Sequence, residues 1–537
     1  MFSSHLHHTA SHDRSATAVL VRRVLLLLLL ALGVGAPLWG QATPIPTPAT
    51  VDVQELDAYF AEALEDWPVP GFSVAIVKDG EVVLEKGYGV REAGGSKPAD
   101  EHTLYAIASN SKAFTVAALA RLVDEGRLSW DDRVVDHLPW FRLYDEYVTR
   151  EMRIRDLLSH RSGLGTFSGD LLWYGTDYTA REVVERARHL PAAYSFRAGY
   201  GYSNLMFIAA GEVLRALGGA DWHEAIPERF FEPLGMKRSV VRTSALEKRD
   251  NVATPHKNVR GEVMPLDWYA WDAMGAAGGI ISSVHDMGLW IRAQLAGGAW
   301  NGVRLFSEDA QREMWTVHNP RAVTRGSERT YPSTHFRGYG LGWSLHDYLG
   351  RKVVGHGGGY DGMFSQVVMV PEEGLGVVVL TNAMTGIAGA LTNRVLDAFL
   401  GGEPRDWSAE GLESWRESRE GFHARQDRIL EERVEGTAPS LAPDGYAGRY
   451  GGPMYGDATI SVEDGALVLR LLPNPDLVAD LEHLHYNTFV IRWRDTFAWF
   501  GPGTATFVLG ADGTVTEMKL DVPNEDLWFH ELKLERR

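Results

Sequence analysis

Three short stretches of this chain combine side chains that can activate one another. The first is Ser109-Asn110-Ser111-Lys112, at the mouth of an apolar run from Ala113 to Val123 that stops at Gly126. On a helix, residues three apart share a face, which puts the Lys112 amine beside the Ser109 hydroxyl. A serine becomes a nucleophile only with such help, and a helix N-terminus adds partial positive charge where an alkoxide forms. The second is Tyr202-Ser203-Asn204, just before the apolar run Leu205 to Ala210. A phenol is a poor base unless a cation lowers its pKa, and Lys112 is the candidate to do so. Asn204 donates and accepts, so it can hold both a substrate carbonyl and the lysine. The third is Gly355-His356-Gly357-Gly358-Gly359-Tyr360 at the end of a strand-like run. Its glycines allow close backbone approach, and a backbone N–H aimed at developing charge makes an oxyanion hole. Each stretch also has a plainer reading: a solvated lysine at a helix start, a buried tyrosine with a capping Asn, and a flexible turn.

The elements that must position these groups are legible from periodicity. Val51 to Trp67 is an amphipathic helix. Phe72 to Val77 and Glu81 to Tyr88 are strands joined through Asp79-Gly80, a hairpin signal. Trp130 to about Trp300 is helical and loop-rich, with helices at Glu212 to Leu217 and Ser283 to Leu295. Within it Trp268, Tyr269 and Trp271 form an aromatic cluster, read as core or as a pocket wall. After Gly338 come the β-type runs Gly340 to Leu345, Lys352 to His356, Phe364 to Pro371 and Gly376 to Leu380, then a helix from Ile387 to Leu400. Strands at both ends with helices between predict an α+β unit: one antiparallel sheet flanked by helices, with a helical subdomain. From Pro443 the pattern is all-β. Ala458 to Val462, Ala466 to Leu471, Phe489 to Trp493, Phe497 to Phe500, Ala505 to Leu509, Val515 to Leu520 and Trp528 to Leu534 fit a small antiparallel barrel.

Composition narrows the partners. A length of 537 residues calls for more than one domain. A net charge of -18 argues against nucleic acid or an anionic membrane as the main partner. With no cysteine, disulfides, thiolate metal sites and a cysteine nucleophile are excluded. No metal or cofactor is expected. Arg14, Arg22 and Arg23 precede an apolar run from Val24 to Ala36, followed by Gly40-Gln41-Ala42, the layout of a signal peptide. An uncleaved N-terminal anchor is the competing reading, and no other integral span is expected. His5, His7 and His8 belong to that segment and are not read as a metal site. The expected organisation is therefore a signal peptide over 1–42, a linker over 43–50, a catalytic unit over 51–400, a partly helical connector over 401–442 and a barrel over 443–537.

Ser-x-x-Lys, Tyr-x-Asn and His-x-Gly, in that order on a sheet–helices–sheet chain, resemble the serine β-lactamase and penicillin-binding protein superfamily. The branch is the class C β-lactamase-like one, with its D-aminopeptidases, D-Ala-D-Ala carboxypeptidases and esterases. Asp156 to Leu164, and Gly278 to Ser283 with Asp286-Met287, resemble landmarks of that branch. The tail resembles a lipocalin-like barrel fused to some members, on Tyr446 to Tyr450 and Tyr455-Gly456. The resemblance implies a β-lactamase/transpeptidase-like fold and an acyl-enzyme. Ser109 would be the nucleophile, Lys112 would take or share its proton, and Tyr202 would be the base and then the acid. Asn204 would hold substrate, and the N–H groups of Ser109 and Gly359 would form the oxyanion hole, with Gly358 beside them. His160 is read as structural. Many penicillin-recognising members carry lysine where His356 stands. A histidine, mostly neutral at pH 7 with a pKa near about 6.5, holds a carboxylate less well. That favours esters, amides or peptides cut from the amino end, unless Arg351 or Lys352 supplies the charge. The expectation is an exported, periplasmic or secreted serine hydrolase of small peptide, amide or ester substrates. Alternatives are a true β-lactamase or carboxypeptidase, or a non-catalytic sensor or scaffold. The barrel would cap the cleft or pair subunits in a homo-oligomer.

Overall fold

The structure is a computed structural model that describes residues 51–537. The expected signal peptide and linker lie outside the described residues. Among the described residues no helix is long and apolar enough to cross a membrane.

The unit over 51–400 is built on one antiparallel sheet whose strands come from both ends of its sequence. Strands β1 (Gly71–Lys78) and β2 (Glu81–Gly89) form the expected hairpin, with Asp79 at φ 53° and Gly80 at φ 81° in its turn. Two successive positive φ values match the twist of the flanking strands. Six later strands complete the sheet: β3 (Asn319–Arg321), β4 (Arg337–Tyr339), β5 (Ser344–Tyr348), β6 (Arg351–Tyr360), β7 (Met363–Val370) and β8 (Leu375–Thr381). Their order is β2-β1-β8-β7-β6-β5-β4-β3, so β1 pairs with β8, from Phe72 opposite Thr381 to Lys78 opposite Leu375.

Both faces of this sheet are covered, and the period-two alternation of β1 shows how. Val74 and Ile76 pack with Leu56 and Phe60 of α1 (Val53–Asp66) and with the C-terminal helix of the unit. Ala75 and Val77 face the opposite core, which holds helix α2 (Ser111–Asp124). Because both faces are buried, β1 reads as a continuous apolar run rather than an alternating one. Helix α2 is buried on every side, with Phe114 stacked on Trp290 at 3.9 Å between ring centroids. Each such side chain contributes about 1.5–3 kcal/mol by leaving water. Helices α3 (Asn204–Gly218) and α4 (Val284–Leu295) line the same core, and α5 (Ile387–Leu400) lies with α1 on the far face; α4 and α5 keep their expected bounds to within a residue, whereas α3 starts well before the expected Glu212.

The connector is more regular than its composition implied. Helix α6 runs from Trp407 to Glu431, with Asp406 as its N-cap. Trp407, Trp415 and Phe422 looked isolated. On a 3.6-residue period they share one face, and Trp407 donates to Asp397 Oδ2 at 2.6 Å to dock it. The tail is a closed eight-stranded antiparallel barrel: β9 (Gly448–Gly452), β10 (Gly456–Glu463), β11 (Ala466–Leu471), β12 (Val478–His485), β13 (Thr488–Trp493), β14 (Gly503–Leu509), β15 (Val515–Asp521) and β16 (Leu534–Arg536). Three expectations fail there, one being that Trp528 to Leu534 is mostly irregular, with a 3-10 turn at Phe529–Glu531 and a strand only from Leu534. Phe497 to Phe500 is a loop, not a strand, because Phe497 and Phe500 stack on each other at 4.6 Å and tuck into the core. The strands missing from the expected runs are Gly448–Gly452, which is mostly glycine, and Val478–His485, whose acidic and histidine side chains hid its pattern.

Candidate active site

Ser109 sits in a single 3-10 turn, Ala108–Asn110, that leads directly into α2. It is therefore just ahead of the helix rather than inside it. The residue before it, Ala108, is buried and holds φ at 46°. A non-glycine residue there costs about 1–3 kcal/mol, tolerated because the surroundings enforce it. Ile107 N–H donates to Ile280 O at 3.0 Å, and Ile280 N–H donates to Ser111 Oγ at 3.0 Å, so the turn is pinned from both sides.

Lys112 is fully buried on the first turn of α2. Its Nζ lies 3.0 Å from Ser109 Oγ, 2.8 Å from Asn204 Oδ1 and 2.8 Å from Ala277 O. Burial disfavours its ammonium form and pulls its pKa from 10.5 down to about 7, with Asp170 opposing the shift. The partners decide what the neutral amine does. Asn204 Oδ1 and Ala277 O can only accept, so they take its two hydrogens. The remaining lone pair faces Ser109 Oγ, ready to receive its proton.

Tyr202 closes the other side. Lys112 Nζ lies 4.8 Å from its ring centroid, and Asn204, two residues on, begins α3. The sequence suggested that Lys112 lowers the Tyr202 pKa. The structure corrects this: burial pushes the phenol well above its ordinary value, with Ser109 opposing, so at neutral pH Tyr202 carries its proton. Desolvation disfavours the phenolate more than the Ser109 hydrogen bond favours it. His160 fixes the tyrosine's position. Its ring lies 4.1 Å from that of Tyr202, and its Nδ1 accepts from Ser203 N–H at 3.1 Å. Burial and Lys112 push the His160 pKa well down, so it is a neutral packing partner.

Strand β6 forms the third wall. The glycine run is not a turn: the strand continues to Tyr360. A Cβ on Gly358 would fall 2.3 Å from Ile107 O and 3.1 Å from Ser109 N, so the bare backbone lets β6 press against the nucleophile turn. A Cβ on Gly359 would meet only the rings of Phe364 and Trp499, at 3.0 Å each. His356 Nδ1 donates to Gly357 O at 2.5 Å and Nε2 accepts from the Tyr339 hydroxyl at 2.8 Å. Burial and then Lys112 push its pKa down to about 3, so the ring is neutral with both nitrogens occupied. The two cations that might have replaced its charge are engaged elsewhere. Arg351 pairs with Glu373 at 2.6 Å, and Lys352 donates to Trp315 O at 2.9 Å.

These walls enclose a cavity of about 210 Å³ that Ser109, Tyr202, Asn204, His356, Gly359 and Trp271 all line. Trp268 and Tyr269 do not reach it. They line a separate cavity of about 410 Å³ against the barrel, because Trp268 turns its indole to Ala253 O and Tyr269 accepts from Asn474 at 2.9 Å. Trp271 does reach it, its indole donating to Asp361 Oδ2 at 2.9 Å. Several neighbours were not foreseen. Asp170 accepts from Asn204 Nδ2 at 2.7 Å and so orients the Asn204 carbonyl toward Lys112. Trp499, Asp526 and Leu527 come from the barrel and line the same cavity. No local pattern marks any of these four. Among the described residues no group of acidic or histidine side chains could hold a metal ion.

A serine-bearing turn against an antiparallel sheet, with a buried lysine and a tyrosine facing it, accompanies the β-lactamase/transpeptidase-like fold. The chain belongs to the beta-lactamase family: residues 56–401 match the family model described as Beta-lactamase. Residues 432–536, which hold the barrel, match a domain of unknown function, DUF3471. The chain is 30% identical over 430 residues to Unguisins hydrolase ungD′ of Aspergillus campestris, covering 75% of this chain and 78% of that one. It is similar in fold to the octameric penicillin-binding protein homologue from Pyrococcus abyssi, with a TM-score of 0.59 and 24% identity over 90% of this chain and 100% of that one. The D-stereospecific amidohydrolase from Streptomyces sp. matches with a TM-score of 0.52 and 25% identity, covering 66% of this chain and 100% of that one.

Proposed function

We propose that this protein is a serine hydrolase that cleaves amide, peptide or ester bonds through an acyl-enzyme on Ser109. The observation that carries the reading is the Lys112 amine, desolvated, held by two obligate acceptors and left with its lone pair on Ser109 Oγ. Ser109 Oγ attacks the substrate carbonyl and its proton passes to Lys112 Nζ. The developing oxyanion is taken by the backbone N–H groups of Ser109 and Gly359. The Tyr202 phenol protonates the leaving group, and the Lys112 ammonium beside its ring restores the phenol. Water then enters by the reverse of these proton movements and releases the acid.

Amides rank first as substrates. The relative named as a D-stereospecific amidohydrolase supports that rank. The neutral, doubly engaged His356 supports substrates without a free carboxylate at that position, and weighs against penicillin-like ones. The basic and apolar N-terminal segment supports export.

The test is labelling by a fluorophosphonate, with peptide mass spectrometry to locate the adduct. Label on Ser109, and loss of label and turnover in Ser109→Ala, is the expected result. An adduct on a different serine sinks the assignment. A panel of p-nitrophenyl esters, D- and L-aminoacyl anilides and a chromogenic cephalosporin then ranks the substrates.

A further inference from the structure

A further cavity, of about 300 Å³, lies among helix α6, the short hairpin His256–Val259 and Glu262–Pro265, and the loop between β13 and β14. It shares no lining residue with the cavity at Ser109. Its size is at the lower end of the range for small-molecule sites. Trp415 and Phe422 of α6, Trp493 at the end of β13, and Phe497 and Phe500 of the loop supply an aromatic wall. The loop is held in place. Lys257 Nζ donates to Phe497 O, and to Phe500 O at 2.9 Å, while Trp493 Nε1 donates to Gly501 O at 3.0 Å. The wall is therefore formed before any ligand arrives.

The charge on this wall runs against that of the chain. The whole sequence carries -18, yet the cavity is lined by four cations, Lys257, Arg260, Arg419 and Arg492, and by one carboxyl group, Asp495. Arg260 pairs with Asp427 at 2.5 Å and Arg492 with Glu482 at 3.2 Å, so both are engaged. Lys257 and Arg419 join no ion pair among the described residues. Arg419 Nε is buried without a hydrogen-bond partner there, and its guanidinium lies 5.0 Å from the Phe422 ring centroid. Lys257 uses two of its three N–H groups on the loop and has one left. Asp495 is exposed, where solvent screens it. Burial lowers the pKa of both cations, that of Lys257 to about 8, and Arg419 adds to the Lys257 shift. Two like charges are thus drawn out of water together, and an incoming anion relieves both.

We infer that this cavity is a binding site for an organic carboxylate with an apolar body, its head on Arg419 and the remaining Lys257 N–H and its body against the aromatic wall. A guanidinium presents parallel N–H groups that match the two oxygens of a carboxylate. Two unpaired cations against Asp495 leave one positive charge, which suits a monoanion better than a phosphate dianion. Five aromatic side chains give an apolar body surface to cover.

The test is calorimetric titration of octanoate into the full chain at neutral pH, with octylammonium and acetate as controls for head and body. One octanoate per chain is expected, bound at least about tenfold more tightly than either control. Arg419→Gln removes a side chain that donates no hydrogen bond among the described residues. It is expected to weaken octanoate about tenfold, with an unchanged thermal transition confirming its fold. A carboxylate is also a product of the proposed hydrolysis, but Arg419 lies outside the Ser109 cavity, so its effect assigns the binding to this one. Absence of octanoate binding, or octylammonium bound as tightly, overturns the inference without recourse to a variant. Full affinity in a folded Arg419→Gln overturns it as well, and octyl phosphate bound more tightly than octanoate overturns the choice of head. None of these results bears on the Ser109 reading.

Discussion

The pH dependence of Ser109 acylation tests the Lys112 arrangement most directly. Burial takes the Lys112 pKa from 10.5 to about 7, which shifts the balance toward the amine by about 5 kcal/mol relative to a lysine in water. The amine is the reactive form, so acylation rises with pH. With a pKa of about 7, about 1% of Lys112 is amine at pH 5, about half at pH 7 and about 99% at pH 9. Acylation by a neutral phosphonate should therefore rise about a hundredfold across that range and level off above about pH 8. A lysine in water would instead give a rate that climbs about tenfold per pH unit without levelling. A neutral probe is chosen because Asp526 titrates near the same pH, and the limb should persist in Asp526→Asn. In Lys112→Arg the guanidinium cannot serve as a base, so the limb should vanish and the rate fall by about 10²–10⁴-fold. A profile that climbs through pH 9 without levelling (about two units beyond the expected midpoint), or a limb retained in Lys112→Arg, refutes the assignment of Lys112 as the base.

Two further predictions concern strand β6. Gly358→Ala places a methyl group 2.3 Å from Ile107 O and 2.4 Å from Ser365 Oγ, so the strand must move off the nucleophile turn. Activity should fall by about 10²-fold, whereas Gly359→Ala, which meets only ring atoms able to shift, should cost much less. Steady-state turnover of a p-nitrophenyl ester checks this, and equal losses would contradict the packing argument. His356→Lys should raise kcat/KM for a substrate bearing a free carboxylate, relative to its methyl ester, by about tenfold, because it puts an ammonium where a neutral ring now spends both nitrogens. An unchanged ratio would show that this position does not read the carboxylate.

The sheet was legible because its signals are local. Asp79-Gly80 announces the first hairpin, and β1 and β8 are apolar enough to need cover on both faces. The misreadings share a cause. Helix α6 is mostly polar and strand β12 is half polar, with two histidines and two acidic residues, so their apolar patterns are weak. Phe497 to Phe500 reads as a strand from its aromatic content, yet its rings pack on one another and the backbone loops out. The aromatic run near Trp268 divides because successive loop residues face different ways: only Trp271 reaches the cavity with Ser109.

What the sequence by itself determined is the set of reacting types. Ser109 and Lys112 are three apart, so one turn of chain brings them together, and Tyr202-Ser203-Asn204 and the His356–Gly359 run carry their spacing within themselves. What only the tertiary structure decided is their ionisation and their surroundings. Lys112 is drawn toward its amine form because it is buried, with Ala277 and Asn204 accepting its hydrogens, and burial likewise keeps the proton on Tyr202. Asp170 enters through Asn204, and Trp499 and Asp526 arrive from a barrel hundreds of residues along the chain. Spacing along the chain can specify neighbours within a turn or a strand. Desolvation and charge are set by everything that closes around them, and that closure exists only in the folded chain.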